Sequence, residues 1–135
     1  MPAPDDALRD FATCYAAAWS GQDPDALASF YAPDGRLVVN GGAPSIGREQ
    51  IAATAGAFMA AFPDMVVALI DLERDGTRVV FRWRWTGTNT GPGGAGAAVD
   101  MRGSEVWTLD ADGRIAVSDG RYDEAEYERQ VKAAH

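Results

Sequence analysis

Two residue types in suggestive positions carry the chemistry that this sequence offers most directly. Leu8, Phe11, Tyr15 and Trp19 recur at helical spacing and form one apolar stripe. Tyr15 therefore belongs to the buried side of a first helix, where its hydroxyl needs a buried partner. Glu105 alternates with Trp107 and Leu109, so all three share one face of a strand. A carboxyl group among such neighbours is reluctant to ionise and able to donate a hydrogen bond. Each residue also has a plain structural reading: Tyr15 as a core tyrosine with a satisfied hydroxyl, Glu105 as a structural buried acid or a surface residue. A third acid, Asp119, stands between Ser118 and Gly120 and by strand alternation points away from them. Only a one-residue bulge turns it to their side.

Other chemistries are excluded by what is scarce. The chain of 135 residues has one cysteine, Cys14, and one histidine, His135. No disulfide can form within it, and neither a Ser-His-Asp triad nor a multi-histidine metal centre is expected. Cys14, with no activating histidine or lysine nearby in sequence, is expected to be a small buried hydrophobe. The acids Asp5, Asp6, Asp10 and those of the C-terminal segment read as a solvated face, so no metal and no cofactor are expected. The run GPGGAG (residues 91–96) joins two strands and lacks lysine, unlike a phosphate loop. Twenty acids against twelve bases give a net charge of -8, which argues against nucleic acid or an anionic membrane as partner. No stretch reads as a membrane span, and the start MPAPDDALRDF lacks a secretion signal's basic and apolar parts; a cytoplasmic location is the expectation.

The elements that must position these residues follow from periodicity and turn signals. A first helix ends at Gly21, and Asp23-Pro24 starts a short second helix through Leu27, Phe30 and Tyr31. Pro33-Asp34-Gly35 reads as a turn, Arg36 to Asn40 as a strand and Gly41 to Ser45 as a loop. A third helix from Gly47 carries Ile51, Ala55, Phe58, Met59 and Phe62 on one face, ending at Pro63-Asp64. Strands follow over Met65 to Arg74 and Thr77 to Asn89, joined at Asp75-Gly76, then over Ala98 to Leu109 and Arg114 to Tyr122. In the second of these, Val79, Phe81, Trp83 and Trp85 share one face; Arg82 and Arg84 take the other, solvated or in a dimer interface. Asp123 to Lys132 reads as a C-terminal helix. The order is helices first and then an antiparallel meander, an α+β layout in one domain spanning residues 1–135.

Four segments resemble the nuclear transport factor 2-like superfamily, and within it the SnoaL-like polyketide cyclases. AAWSGQDPDALASFYAPDG (Ala17 to Gly35) resembles the first helical turn and short second helix, and PSIGREQI (Pro44 to Ile51) the glycine-arginine start of the third helix. FRWRWTGTNTG (Phe81 to Gly91) resembles the tryptophan strand, and DGRIAVSDGRYD (Asp112 to Asp123) the last strand. The resemblance implies a cone-shaped α+β barrel, a curved and mostly antiparallel sheet wrapped around the N-terminal helices with a central cavity. It also implies a homodimer and an apolar small-molecule ligand.

The same resemblance bears on the site. The cyclases' general-base aspartate falls on Gly120 and a frequent histidine on Ser118, so Asp119 would serve only if bulged inward. In the related ketosteroid isomerases a tyrosine and a protonated acid form an oxyanion hole; these fall on Tyr15 and Glu105, while the base falls on Val39 beside Asn40. The catalytic set implied is Tyr15, Glu105 and Asp119. The ligand-binding set is Trp19, Asn40, Met59, Phe62, Trp83, Trp85, Trp107 and Ser118. The expected function is cofactor-independent isomerisation or aldol-type cyclisation of an apolar carbonyl compound. The alternative is a dimeric binding module without turnover; epoxide hydrolysis and pure scaffolding are weaker options.

Overall fold

The computed structural model describes residues 6–91, 94 and 96–132. Asp5, His135 and, from the glycine-rich run, Pro92, Gly93 and Ala95 lie outside the described residues. The chain begins with α1 (Asp6–Ser20), which buries Leu8, Ala12, Tyr15, Ala16 and Trp19 along one stripe. Cys14 lies off that stripe and is exposed, correcting the expectation that it is buried. In α2 (Pro24–Ala28) the Asp23 carboxylate accepts the Ala26 N–H at 3.1 Å and Pro24 opens the first turn. This helix stops before Tyr31, which instead begins β1 (Tyr31–Val39). The expected Pro33–Gly35 turn survives as an irregularity inside that strand, where the pairing jumps from Tyr31 to Arg36. A two-residue β2 (Ser45–Ile46), not foreseen, precedes α3 (Gly47–Ala61).

The second half is the expected meander: β3 (Val66–Asp75), β4 (Arg78–Thr88), β5 (Ala98–Leu109) and β6 (Ile115–Tyr122), followed by α4 (Glu124–Lys132). Six strands form one curved, unclosed sheet in the order β2-β1-β6-β5-β4-β3. Every pairing is antiparallel except β1 with β6, which run parallel. The inner face carries Val79, Phe81, Trp83 and Trp85 of β4 and Met101, Glu105, Trp107 and Leu109 of β5, all buried. On the outer face Arg82 pairs with Asp71 and Glu73 at 3.1 and 3.2 Å, and Arg84 with Asp100 at 2.7 Å.

A bulge in β6 decides which of its side chains face inward. Leu109 pairs with Ile115 and Thr108 with Val117, so Ala116 is an extra residue in the ladder. Ile115 is inside and fully buried, Val117 outside and 37% exposed, and Ser118 inside and fully buried. Strict alternation from Ile115 through Ala116 would bring Asp119 inward; because Ala116 is bulged out of the ladder, Ser118 and Gly120 take those places. From there the register is unbroken: Trp107 pairs with Ser118, Val106 with Asp119, and Glu105 with Gly120.

Close approach shapes the sheet at Gly103, paired with Trp83 on one side and Tyr122 on the other. A Cβ there would lie 2.5 Å from the Arg121 carbonyl oxygen and closer still to the Trp83 ring, so the indole rests on a position only glycine leaves open. Gly103→Ala is expected to destabilise the fold by about 1–3 kcal/mol, as overpacking does. Chemical denaturation measures this, and near-ultraviolet circular dichroism should report a displaced Trp83.

Candidate functional site

The inner face of the sheet and the helices leave a cavity of about 80 Å³. Leu37 and Val39 of β1, Trp83 and Trp85 of β4, and Met65 and Val67 beside β3 line it from the sheet. Trp19 of α1 and Phe58 of α3 line it from the helices, and Gly120, Arg121 and Tyr122 close the β6 side. Among these apolar walls Glu105 is the one acid. The Arg121 guanidinium is largely exposed and engaged by Asp119, at 3.0 Å from Nε.

Three donors converge on one oxygen of Glu105. The Ser118 hydroxyl donates to Oε1 at 2.6 Å, the Tyr15 hydroxyl at 2.8 Å and the Trp107 indole N–H at 3.1 Å. Tyr15 lies 2.8 Å from the Tyr31 hydroxyl as well. Because Tyr15 gives its own proton to Glu105, Tyr31 is the donor of that second bond. The arrangement runs Tyr31 to Tyr15 to Glu105. Oε2 has no partner among the described residues and is not sealed off, while Glu105 borders the cavity; the free oxygen is thus the one that meets it.

Burial raises the Glu105 carboxyl above the ordinary glutamate range, opposed by the Ser118, Trp107 and Tyr15 hydrogen bonds, which favour the charged form. Burial, with the nearby Glu105, likewise pushes Tyr15 and Tyr31 upward, so both remain neutral donors. An oxygen accepting three hydrogen bonds has no room for a proton of its own. When Glu105 is protonated, the hydrogen therefore sits on Oε2, on the cavity side. The group can take a proton from a bound molecule or return one at that atom.

The other expected site residues take different places. Trp19, Trp83 and Trp85 line the cavity. Trp107 and Ser118 lie behind it, their polar atoms spent on Glu105, and Tyr15 is fully buried there too. Tyr15 meets the Glu105 carboxyl and is not among the residues that line the cavity. Met59 and Phe62 are core residues, not lining residues; Phe62 packs on Trp85 at 4.8 Å, and Phe58 supplies the wall instead. Asp119 faces outward with Arg121, because the bulge falls at Ala116 and not at the site itself.

Asn40 is a strand-end residue with φ +50. Its N–H donates to the Gly120 carbonyl at 2.8 Å and its Oδ1 accepts the Tyr122 N–H at 2.9 Å, so it ties β1 to β6 rather than lining the cavity. Sequence reasoning missed the role of Tyr31, because the short second helix was extended over it. Its signal was the FYAPDG run, where an aromatic pair meets a turn. Among the described residues no group of three or more His, Cys, Asp or Glu could hold a metal ion, and no helix is long and apolar enough to cross a membrane.

The raised carboxyl has a stability signature. The folded chain holds the Glu105 proton at pH values where the unfolded chain has lost it. The contribution is therefore full below the ordinary glutamate value and declines as pH rises through the raised folded value. Wild-type unfolding free energy minus that of Glu105→Gln should fall with increasing pH across that interval, measured by urea denaturation. A difference that rises with pH contradicts the assignment.

Comparison with known proteins agrees with this fold. The SnoaL-like domain profile matches residues 12–118. A protein from Jannaschia sp. described as a SnoaL-like polyketide cyclase superposes with a TM-score of 0.83 at 20% identity, covering 98% of this chain and 97% of that one. A protein from Xanthomonas campestris described as a polyketide cyclase gives 0.74 at 26% identity, covering 91% and 95%. A protein of ketosteroid isomerase-like fold from Catenulispora acidiphila, crystallised with trimethylamine, gives 0.80 at 24% identity, covering 91% and 92%. Comparison with curated proteins finds no match. With four-fifths of its length inside the matched profile and the cavity where the sheet curves around the helices, the chain belongs to the SnoaL-like domain family.

Proposed function

We propose that this chain is a cofactor-independent enzyme that moves a proton at the carbon beside the carbonyl of a compact apolar compound, with Glu105 as the proton-transfer group. The observation that carries the reading is the division of labour on one carboxyl: Oε1 anchored by Ser118, Tyr15 and Trp107, Oε2 open to an apolar cavity. As a carboxylate, Oε2 takes the α-proton while the electron pair moves onto the carbonyl oxygen as an enolate. Returning the proton to a second carbon completes an isomerisation. Attack of the enolate carbon on a second carbonyl, whose oxygen then takes the proton back from Oε2, gives an aldol ring closure. Membership of a family whose relatives are described as polyketide cyclases supports this class of reaction, and a relative crystallised with a small molecule supports a small ligand.

One observation favours the alternative of a binding module without turnover. By the resemblance given above, the base positions of the cyclases and the isomerases fall on Gly120 and Val39, and Asp119 is outside. Exchange of α-hydrogens for deuterium in a panel of small ketones separates the two readings. The enzyme reading expects exchange that rises with pH, because the carboxylate is the active form, with an inflection above the ordinary glutamate range. Glu105→Gln should lower the rate by about 10²–10⁴-fold, the usual worth of a general base. Tyr15→Phe removes a donor to the carboxylate and should move the inflection to higher pH while leaving exchange measurable. Ligand binding with no exchange by the wild-type protein would select the binding module.

A further inference from the structure

The cavity walls are more aromatic than an apolar pocket requires, and their rings meet at corners. Trp19 and Phe58 stand 6.2 Å apart at 75°, Phe58 and Trp85 6.0 Å apart at 90°. Trp85 and Tyr122 follow at 6.2 Å and 72°, then Tyr122 and Trp83 at 6.4 Å and 61°. Five rings in unbroken sequence therefore surround one cavity whose single acid is Glu105.

From this juxtaposition we infer that the cavity binds a compact alkylammonium cation, its alkyl groups against the aromatic walls and its charge beside Glu105 Oε2. Three features converge on such a ligand. Aromatic faces attract a cation through their quadrupole, most strongly where water is excluded. A carboxylate beside an apolar cavity is costly to desolvate when a ligand enters, and a cation offsets that cost where a neutral molecule offers nothing. The volume of about 80 Å³ is roughly half that of the engineered core cavity of about 150 Å³ that takes benzene, so a group with few heavy atoms is what enters without rearrangement. The one nearby positive charge, Arg121, is engaged by Asp119 at the surface, and the net charge of -8 draws cations to the chain.

The inference shares its cavity with the proton-transfer reading and needs from it only that Oε2 faces that cavity. Tetramethylammonium chloride and neopentyl alcohol, a neutral molecule of nearly the same shape, form the test pair. Tryptophan fluorescence and calorimetry read their binding, with sodium chloride at matched ionic strength as the blank. Wild-type protein should bind the cation saturably and about tenfold or more tightly than the alcohol. In Glu105→Gln, whose amide oxygen can still accept the three donors, cation binding should weaken and the preference shrink severalfold. Equal or tighter binding of the alcohol by the wild type overturns the inference, as does the absence of a saturable response to the cation. A protein that exchanges ketone hydrogens but ignores the cation overturns this inference alone. One that binds the cation but exchanges nothing overturns only the catalytic reading.

Discussion

Oε1 of Glu105 accepts from Ser118, Tyr15 and Trp107, and this buried convergence is the constraint around which the rest of the molecule is arranged. The donors come from α1, β5 and β6, and β1 adds Tyr31 behind Tyr15. Three elements must therefore be correctly placed for one oxygen to be satisfied, and a fourth for its tyrosine donor. Each hydrogen bond to a charged acceptor contributes about 1.5–3 kcal/mol, while an unpaired buried acceptor costs about as much. The aromatic rings that bury the cluster are packed to match: Tyr15 lies 5.0 Å from Trp107 and 5.6 Å from Phe81, and those two stack at 4.9 Å. That packing excludes water from the anchored side and leaves the other oxygen as the group's only outlet.

The sheet provides the outlet through small residues and one irregularity. Gly120, opposite Glu105, presents no side chain, and a Cβ there would meet the Glu105 Cγ at 3.6 Å. The carboxyl thus occupies space beside a position that presents no side chain. The bulge at Ala116 breaks strict alternation, so Ser118 and Gly120 take the inner face and Asp119 turns out to Arg121. A donor then lies where Glu105 needs one and a void where a ligand needs one. One break in alternation sets which β6 side chains face the cavity, because its effect carries along the strand.

Strong periodicity made most of the fold legible in the sequence. The stripe from Leu8 to Trp19, the Asp23-Pro24 start, the Asp75-Gly76 hairpin and the span of β5 all stand where pattern and turn chemistry put them. Errors arose where local signals competed. Tyr31 followed a helical pattern yet opens a strand, and Cys14 was read as buried although it falls off the helical stripe. At the site, the partnership of Tyr15 with Glu105 was legible because both side chains needed a buried mate. Its direction was not: that Tyr15 lies behind the acid, not beside it at the cavity, depends on how α1 docks on the curved sheet. The same holds for Met59 and Phe62, which share a helix face with Phe58 but meet the core instead. A bulge adds no signature to composition, so the facing of Ser118 and Asp119 needed the register itself.

The most direct test of the central claim is a nuclear magnetic resonance titration of the Glu105 side-chain carboxyl carbon, assigned by its loss in Glu105→Gln. The account predicts a single titration displaced above the ordinary glutamate range, moving further upward when Ser118→Ala removes the shortest donor. It also predicts that a ligand entering the cavity perturbs this resonance. A titration at or below the ordinary value, indifferent to both Ser118 and cavity ligands, would contradict the account: Glu105 would then be neither held by the donors described nor open to the cavity.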